Sequence, residues 1–272
     1  MGAGIKTDRY RVREGESVDL SRWPPGDTTG FHGSEAQALE ESRKLTVRLE
    51  QLQEMLYAEH KHKVLVILQA MDTGGKDGTI KKVFEGVNPQ GVRVAHFRAP
   101  SAEESGHDFL WRAHRQTPES GEVVIFNRSH YEDVLIAKVH GLITKQECMR
   151  RYDDIKHFER LLREDRTGIL KFFLHIDKAE QRRRLEDRLA DPSKQWKFSP
   201  SDVQERRFWG EYMKAYEDAI QNTSARHLPW YVVPSNKKWF RDLLVSSIIV
   251  ERLEKLGMEY PRLSVDPKSI PI

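Results

Sequence analysis

The stretch Lys63-Val-Leu-Val-Ile-Leu-Gln-Ala-Met-Asp-Thr-Gly-Gly-Lys-Asp-Gly-Thr-Ile80 decides how the chain reads. Its apolar run, residues 64–68, is short, rich in β-branched residues and without polar alternation. That is the pattern of a strand buried on both faces. Gly74, Gly75 and Gly78 then surround Lys76, and residues 80–85 suit a helix. Strand, glycine-rich turn with a lysine, then helix is the build of a phosphate cradle. Backbone N–H groups at a helix N-terminus point at an anion, and the lysine adds a point charge. The pattern G-x-x-x-x-G-K-[ST], aligned on Gly75-Lys76, finds Ala70 at its first glycine and Asp77 at its hydroxyl position. The same residues would also serve as a glycine-rich turn with a surface lysine, so the decision falls to the rest of the chain.

Working outward, 272 residues can enclose one large α/β core. The net charge of +3 is close to balance and calls for no nucleic-acid partner, although basic residues cluster locally. The single cysteine, Cys148, excludes an intrachain disulfide and fits a reducing compartment. No apolar run has the length of a membrane span, and the N-terminus lacks the apolar centre of a signal peptide. The expectation is a soluble cytoplasmic protein with no membrane partner.

Residues 1–34 carry little apolar periodicity and include Pro24-Pro25-Gly26-Asp27, so they read as an extended arm over the surface with Tyr10 and Trp23 as anchors. Ser34 is a candidate N-cap for a helix over 35–60, where Leu45, Leu49, Leu52 and Leu56 form a core-facing stripe. Strands are expected at 63–70, 92–97, 122–127, 169–176 and 230–233. Helices are expected around 107–114 and over 144–165, 180–189, 203–220 and 237–256, with a loop at 191–202. Apolar strands alternating with helices predict a three-layer α/β/α domain over 35–260 around a five-stranded, mainly parallel sheet, with a tail from 261 to 272.

Ligands of such sheets bind beyond the carboxyl ends of the strands. Three loops then converge. The first holds Asp72, Lys76 and Asp77, followed one turn later by Lys81 and Lys82. Carboxylates beside a phosphate cradle call for a divalent cation between them, so Asp72 is the candidate metal ligand, for Mg²⁺ or Mn²⁺ in its place. The second holds Asn127, Arg128, Glu132 and Asp133. Arg128 can fork onto phosphate oxygens or pair with Glu132 or Asp133. The third holds Arg182, Arg183, Arg184 and Arg188 on one helix, then Lys194 and Lys197. Arg184 and Arg188, four apart, share a face. A basic helix running into a proline-bounded loop predicts a mobile lid, about 182–210, over a polyanion or alternatively a solvated basic face. Neither a Ser/His/Asp nor a Cys/His arrangement is signalled, and phosphoryl transfer needs mainly positioning and charge.

Asp72-x-Gly-Gly-Lys-Asp-Gly-Thr79, Asn127-Arg-Ser-His-Tyr-Glu-Asp133 and Trp196-Lys-Phe198 after Glu180-Gln-x-x-Arg-Leu-x-x-Arg188 resemble the type-2 polyphosphate kinase family. Asn88-Pro-x-Gly91, His107-Asp-Phe-Leu-Trp-Arg112 and Pro229-Trp-Tyr-Val-Val-Pro234 extend the resemblance over roughly residues 35–260, in the family's order. It implies a P-loop kinase-like fold with a helical lid, and Mg²⁺-dependent transfer of a terminal phosphoryl group between inorganic polyphosphate and a nucleotide. It places Asp72 and Lys76 in a Walker A motif with Gly74, Gly75, Asp77, Gly78 and Thr79. Asn127 and Arg128 stand at a Walker B-like motif, where some members carry Asp in place of Asn127. Arg184, Arg188, Lys194 and Lys197 belong to the lid side. The Asn-Arg-Ser-x-Tyr-Glu-Asp version resembles class III, which phosphorylates AMP and ADP, with Glu132 connected to accepting AMP. Homo-oligomers are implied as well. An ATP-dependent small-molecule or nucleotide kinase on the same fold and a non-catalytic polyanion binder remain the alternatives at this point.

Overall fold

The structure, a computed structural model, describes residues 4–264. Five strands, β1 (Lys63–Gln69), β2 (Val92–His96), β3 (Val123–Asn127), β4 (Thr167–His175) and β5 (Trp230–Pro234), make one sheet. Their order is β2-β3-β1-β4-β5, and every neighbouring pair is parallel. The continuous apolar runs are what a sheet covered on both faces demands. Strand alternation divides the core. Leu65, Ile67, Phe126 and Phe173 face one layer; Val64, Val66, Leu68 and Phe172 face the other.

The helices are α1 (Glu35–Glu59), α2 (Lys76–Val83), α3 (Ala102–Ser105), α4 (Trp111–His114), α5 (Glu132–Val139), α6 (Lys145–Glu164), α7 (Lys178–Ala190), α8 (Pro200–Glu205), α9 (Trp209–Thr223) and α10 (Lys238–Glu254). α5, α6 and α9 cover the first face through residues such as Leu135, Ile155 and Ala215. α1 and α10 cover the second through Leu49, Leu52, Leu56, Phe240 and Leu244. Ser34 and Gln37 form a capping box at the start of α1, each side chain taking the other's backbone N–H.

Several expectations change; the helix expected over 203–220, for one, is broken by a 3-10 turn at Arg206–Phe208 and resumes as α9 only at Trp209. The helix expected around 107–114 is reduced to α4; the short α3 precedes it, and residues 106–110 between them form a turn in which Asp108 accepts from the N–H groups of Leu110 and Trp111. α2 starts at Lys76, four residues earlier than residue 80; glycine at 78 hides the helix from a propensity reading. The arm does more than lie on the surface. Tyr10 is buried and Trp23 partly so, but Val12, Val18, Leu20 and Phe31 are equally part of the core. Val12 N–H donates to the Trp230 carbonyl at 2.9 Å, and Arg11 bridges Tyr231 antiparallel. The arm thereby covers the open edge of β5. Of the tail expected from 261, residues 265–272 lie outside the described residues.

After β1 the chain moves out to β2, returns to β3, then crosses to β4 on the other side of β1. The order reverses beside β1, and the crevice beyond its carboxyl end is the natural ligand position in this architecture.

Candidate active site

The turn after β1 is held in an unusual backbone. Thr73 has φ +61° and Gly75 +107°. The backbone conformation of Gly75 favours glycine, and a Cβ there, 2.2 Å from Arg241 Nη1, would also displace that guanidinium. Gly74 is needed for packing, since a Cβ there would meet Ala70 Cβ at 2.5 Å. Lys76 opens α2 and donates to the Ala70 carbonyl at 3.1 Å. Desolvation, then the charge of Arg128, pulls its pKa below the ordinary lysine range. Thr79 is fully buried, its hydroxyl donating back to the Gly75 carbonyl.

β3 brings its end alongside: Leu68 pairs with Asn127. Asn127 Nδ2 donates to Asp77 Oδ1 at 2.8 Å. Arg128, itself at φ +61°, places Nη2 2.7 Å from Asp72 Oδ1 and Nη1 3.8 Å from Glu132 Oε2. Burial works against its charge, but Glu132 and Asp72 outweigh it and keep it cationic. Burial raises the Glu132 carboxyl, with Arg128 and Lys76 opposing.

α7 divides the basic run. Arg182 pairs with Glu186, and Arg183 with Glu180 and Asp187, both arginines being exposed. Arg184 and Arg188 turn inward, as their spacing predicts. Arg184 is buried and is a strut: Nε binds Glu180 at 2.6 Å, Nη1 donates to the Thr73 carbonyl at 3.0 Å, and Nη2 to the Ser235 carbonyl at 2.5 Å. Gln181 fixes the neighbouring Asp72 carbonyl at 3.1 Å. This part of the expected lid is therefore bonded to the cradle and to the end of β5. The exposed excursion is 191–208, built from a 3-10 turn (Gln195–Lys197), α8 and a second 3-10 turn (Arg206–Phe208). It returns to the cradle through Lys197, 3.3 Å from Asp77, and Asp202, 3.2 Å from Arg188.

Two cavities result. One, about 500 Å³, is lined by the cradle from Asp72 to Gly78 together with Asn127, Arg128, Arg184, Arg188, Lys194 and Lys197. The other, about 830 Å³, is lined by His96, Phe97, Arg98, Trp196 and Ser199. Asp77, Asn127, Arg128, Arg188 and Lys197 line both.

Some candidates are not brought to this wall. Lys81 and Lys82 are exposed on α2, with Lys82 paired to Glu85 at 2.7 Å. Asp133 turns towards Arg112 at 2.9 Å and lines a different cleft with Arg150 and Arg151. Conversely, Lys238, Arg241, Asp187 and Asp202 line the cradle cavity without having been singled out. The rule of strand carboxyl ends, applied to β5 as it was to β1, β3 and β4, points to Lys238 and Arg241.

Among the described residues no group of three or more His, Cys, Asp or Glu is placed to hold a metal alone. The cavity does offer hard oxygen donors. Asp72 leaves one carboxylate oxygen free of Arg128, and the Asp202 carboxyl is raised by burial and by the charge of Asp72. A site with one or two carboxylates, completed by phosphate oxygens and water, suits a small divalent cation.

The Asn127–Asp133 loop rests on a buried polar network. Tyr131 donates to Glu159 at 2.7 Å, and Lys171 to Glu159 at 2.6 Å and to the Thr223 carbonyl at 2.8 Å. Burial alone would neutralise both charged partners; their contact holds the Glu159 carboxyl low. The network joins α6, β4, the residue that caps α5 and the last residue of α9, the helix that returns from the excursion.

The sequence profile of the family described as Polyphosphate kinase 2 (PPK2) matches residues 32–261. An AMP/ADP-polyphosphate phosphotransferase of Meiothermus ruber is 56% identical over 254 residues, 93% of this chain and 95% of that one. An ADP-polyphosphate phosphotransferase of Rhodopseudomonas palustris is 46% identical over 269 residues, 94% and 93% of the two chains. The crystal structure of Polyphosphate Kinase 2 from Arthrobacter aurescens TC1 superposes with a TM-score of 0.95 at 42% identity, covering 99% of this chain and 96% of that one. With the fold, the cradle and matches over nearly the whole length in agreement, the chain belongs to the polyphosphate kinase 2 family.

Proposed function

We propose that the protein is a phosphotransferase that moves the terminal phosphoryl group of inorganic polyphosphate to AMP and ADP, giving ADP and ATP. Carrying this reading is the pair of cavities that share the wall of Asp77, Asn127, Arg128, Arg188 and Lys197. The cradle cavity, rich in Lys and Arg, suits a polymer of phosphates; the second, with Phe97 and Trp196, suits a nucleotide. Donor and acceptor phosphates would meet at Arg128.

In this reading the free N–H groups at the start of α2, Lys76 and Arg128 hold the transferred phosphoryl group, and Arg188, Lys194 and Lys197 hold the chain behind it. Asp72, with Asp202 facing it, would hold a divalent metal, Mg²⁺ or Mn²⁺ in its place, which supplies charge neutralisation between phosphates. The acceptor phosphate needs no strong base, since phosphomonoesters lose their second proton near a pKa of about 6. Asp72, already engaged by Arg128, is assigned to positioning rather than to taking a proton. Glu132, beside Arg128, is assigned to the shorter acceptor, AMP. The 191–208 excursion, through Lys197–Asp77 and Arg188–Asp202, excludes water that would hydrolyse the donor. Cytoplasmic location and assembly as a homo-oligomer belong to the same reading, the first supported by the single, buried cysteine and the second by the family; no helix of the described residues is long and apolar enough to cross a membrane.

The test is incubation with AMP, Mg²⁺ and polyphosphate in the absence of ATP. Formation of ADP and then ATP supports the reading. A protein that binds polyphosphate but forms neither product excludes it.

A further inference from the structure

The opposite end of the molecule carries a second basic cavity. It is about 190 Å³ and lies at the amino ends of β4 and β5, walled by Ile169, Pro229 and the last turns of α10. Arg11, Arg226, Arg252 and Lys255 contribute four permanent cations against one carboxylate, Glu251, which already accepts from the Thr7 hydroxyl at 3.0 Å. They come from three separate parts of the chain: the arm, the turn before β5 and the end of α10.

These cations are poorly matched within the protein. Among the described residues Arg226, Arg252 and Lys255 have no carboxylate within ion-pair distance; Arg11 has a long contact to Asp8 at 3.6 Å and donates through Nη2 to the Arg226 carbonyl at 2.6 Å, which ties two of the four cations together. Arg11 Nε and Arg252 Nε are buried without a hydrogen-bond partner. Arg252 lies over Gly168, where a Cβ would come within 3.5 Å of its Nε. Buried donors left unpaired are costly, and converging guanidinium groups match the geometry of an oxyanion.

We propose that this cavity is a second oxyanion site, sized for phosphate or a short run of phosphoryl groups and separate from the cradle. α10 links the two. Lys238 and Arg241 at its start line the cradle cavity, and Arg252 lies roughly 16 Å further along the helix at 1.5 Å per residue. The occupant is either free phosphate or a segment of phosphate polymer. The proposal rests on the charges of this cavity and stands independently of the activity assigned to the cradle.

The test is calorimetric titration of the nucleotide-free protein with tripolyphosphate and, separately, with inorganic phosphate. The proteins compared are wild type, Arg252→Gln/Lys255→Gln and Lys76→Ala. The expected result is a binding event that survives Lys76→Ala and is weakened at least tenfold in the double variant, whose turnover on short polyphosphate stays within twofold. Binding of both probes assigns a phosphate pocket; binding of tripolyphosphate alone, with a raised KM for long polyphosphate in the double variant, assigns a polymer anchor. A titration unchanged by the double substitution overturns the proposal. So does a change of assembly state on gel filtration, which would make this face an interface between subunits. Arg226→Gln, on an exposed turn where folding is not at risk, must weaken the same event.

Discussion

Arg128 Nη2 meets Asp72 Oδ1 at 2.7 Å, joining the end of β3 to the turn after β1. Arg128 makes that contact from φ +61°, a conformation that costs a non-glycine residue energy and that clusters at working sites. Its other nitrogen faces Glu132 at 3.8 Å, and its charge adds to the desolvation that lowers the pKa of Lys76. One guanidinium thus bears on both Lys76 and Glu132, second only to burial at each.

Lys76 must carry its proton to hold a phosphoryl group, and desolvation beside Arg128 lowers its pKa from 10.5. A lowered lysine pKa means that the charge is lost as pH rises through that lowered value. The alkaline limb of kcat/KM, which reports the free enzyme, is therefore expected below 10.5. Lys76→Arg should move the limb up, and Lys76→Ala should cost about 100–1000-fold in turnover, the usual effect of removing one charge-stabilising donor. An unmoved limb in Lys76→Arg would assign it to another group.

The proposed function assigns Glu132 to the acceptor AMP rather than to the chemistry shared by all acceptors. Glu132→Asn is expected to lower kcat/KM for AMP more than for ADP. Steady-state rates with the two nucleotides in parallel check this; an equal loss would place Glu132 in the support of Arg128 alone.

Lys171 and Glu159 are both fully buried and 2.6 Å apart. Removing one partner leaves an uncompensated buried charge, so Lys171→Met should destabilise the fold by about 3–5 kcal/mol. Adding Glu159→Leu should recover part of the loss. Urea denaturation measures both; a double variant less stable than the sum of the single ones would mean that the network is worth more than its charges.

The sheet was legible because burial on both faces writes apolar runs: β1 and β3 are continuous ones, and β4 is interrupted by Lys171 alone between Ile169 and Leu174. The site was legible where chemistry and spacing coincide, as in Asp72–Gly78 and in Arg184 with Arg188. Composition cannot show direction. Lys81 and Lys82 are as basic as Lys76 but sit on the exposed side of α2, and Asp133 follows Glu132 yet turns to Arg112. Arg184 illustrates a further limit. Its charge was evident, but its use as a strut between Thr73 and Ser235 depends on carbonyls distant in sequence. The arm escaped for a related reason: Val12, Val18 and Leu20 follow the edge of β5 and the flank of α9, with no period of their own.

The most direct test of the account is the rate of ATP formation from ADP and polyphosphate by Asp72→Asn. The substitution keeps the shape of the side chain, and its amide oxygen can still accept from Arg128, but it removes the charge. The expected result is a loss of at least a hundredfold with an unchanged circular dichroism spectrum and urea midpoint. A rate near that of the unmodified protein would contradict it.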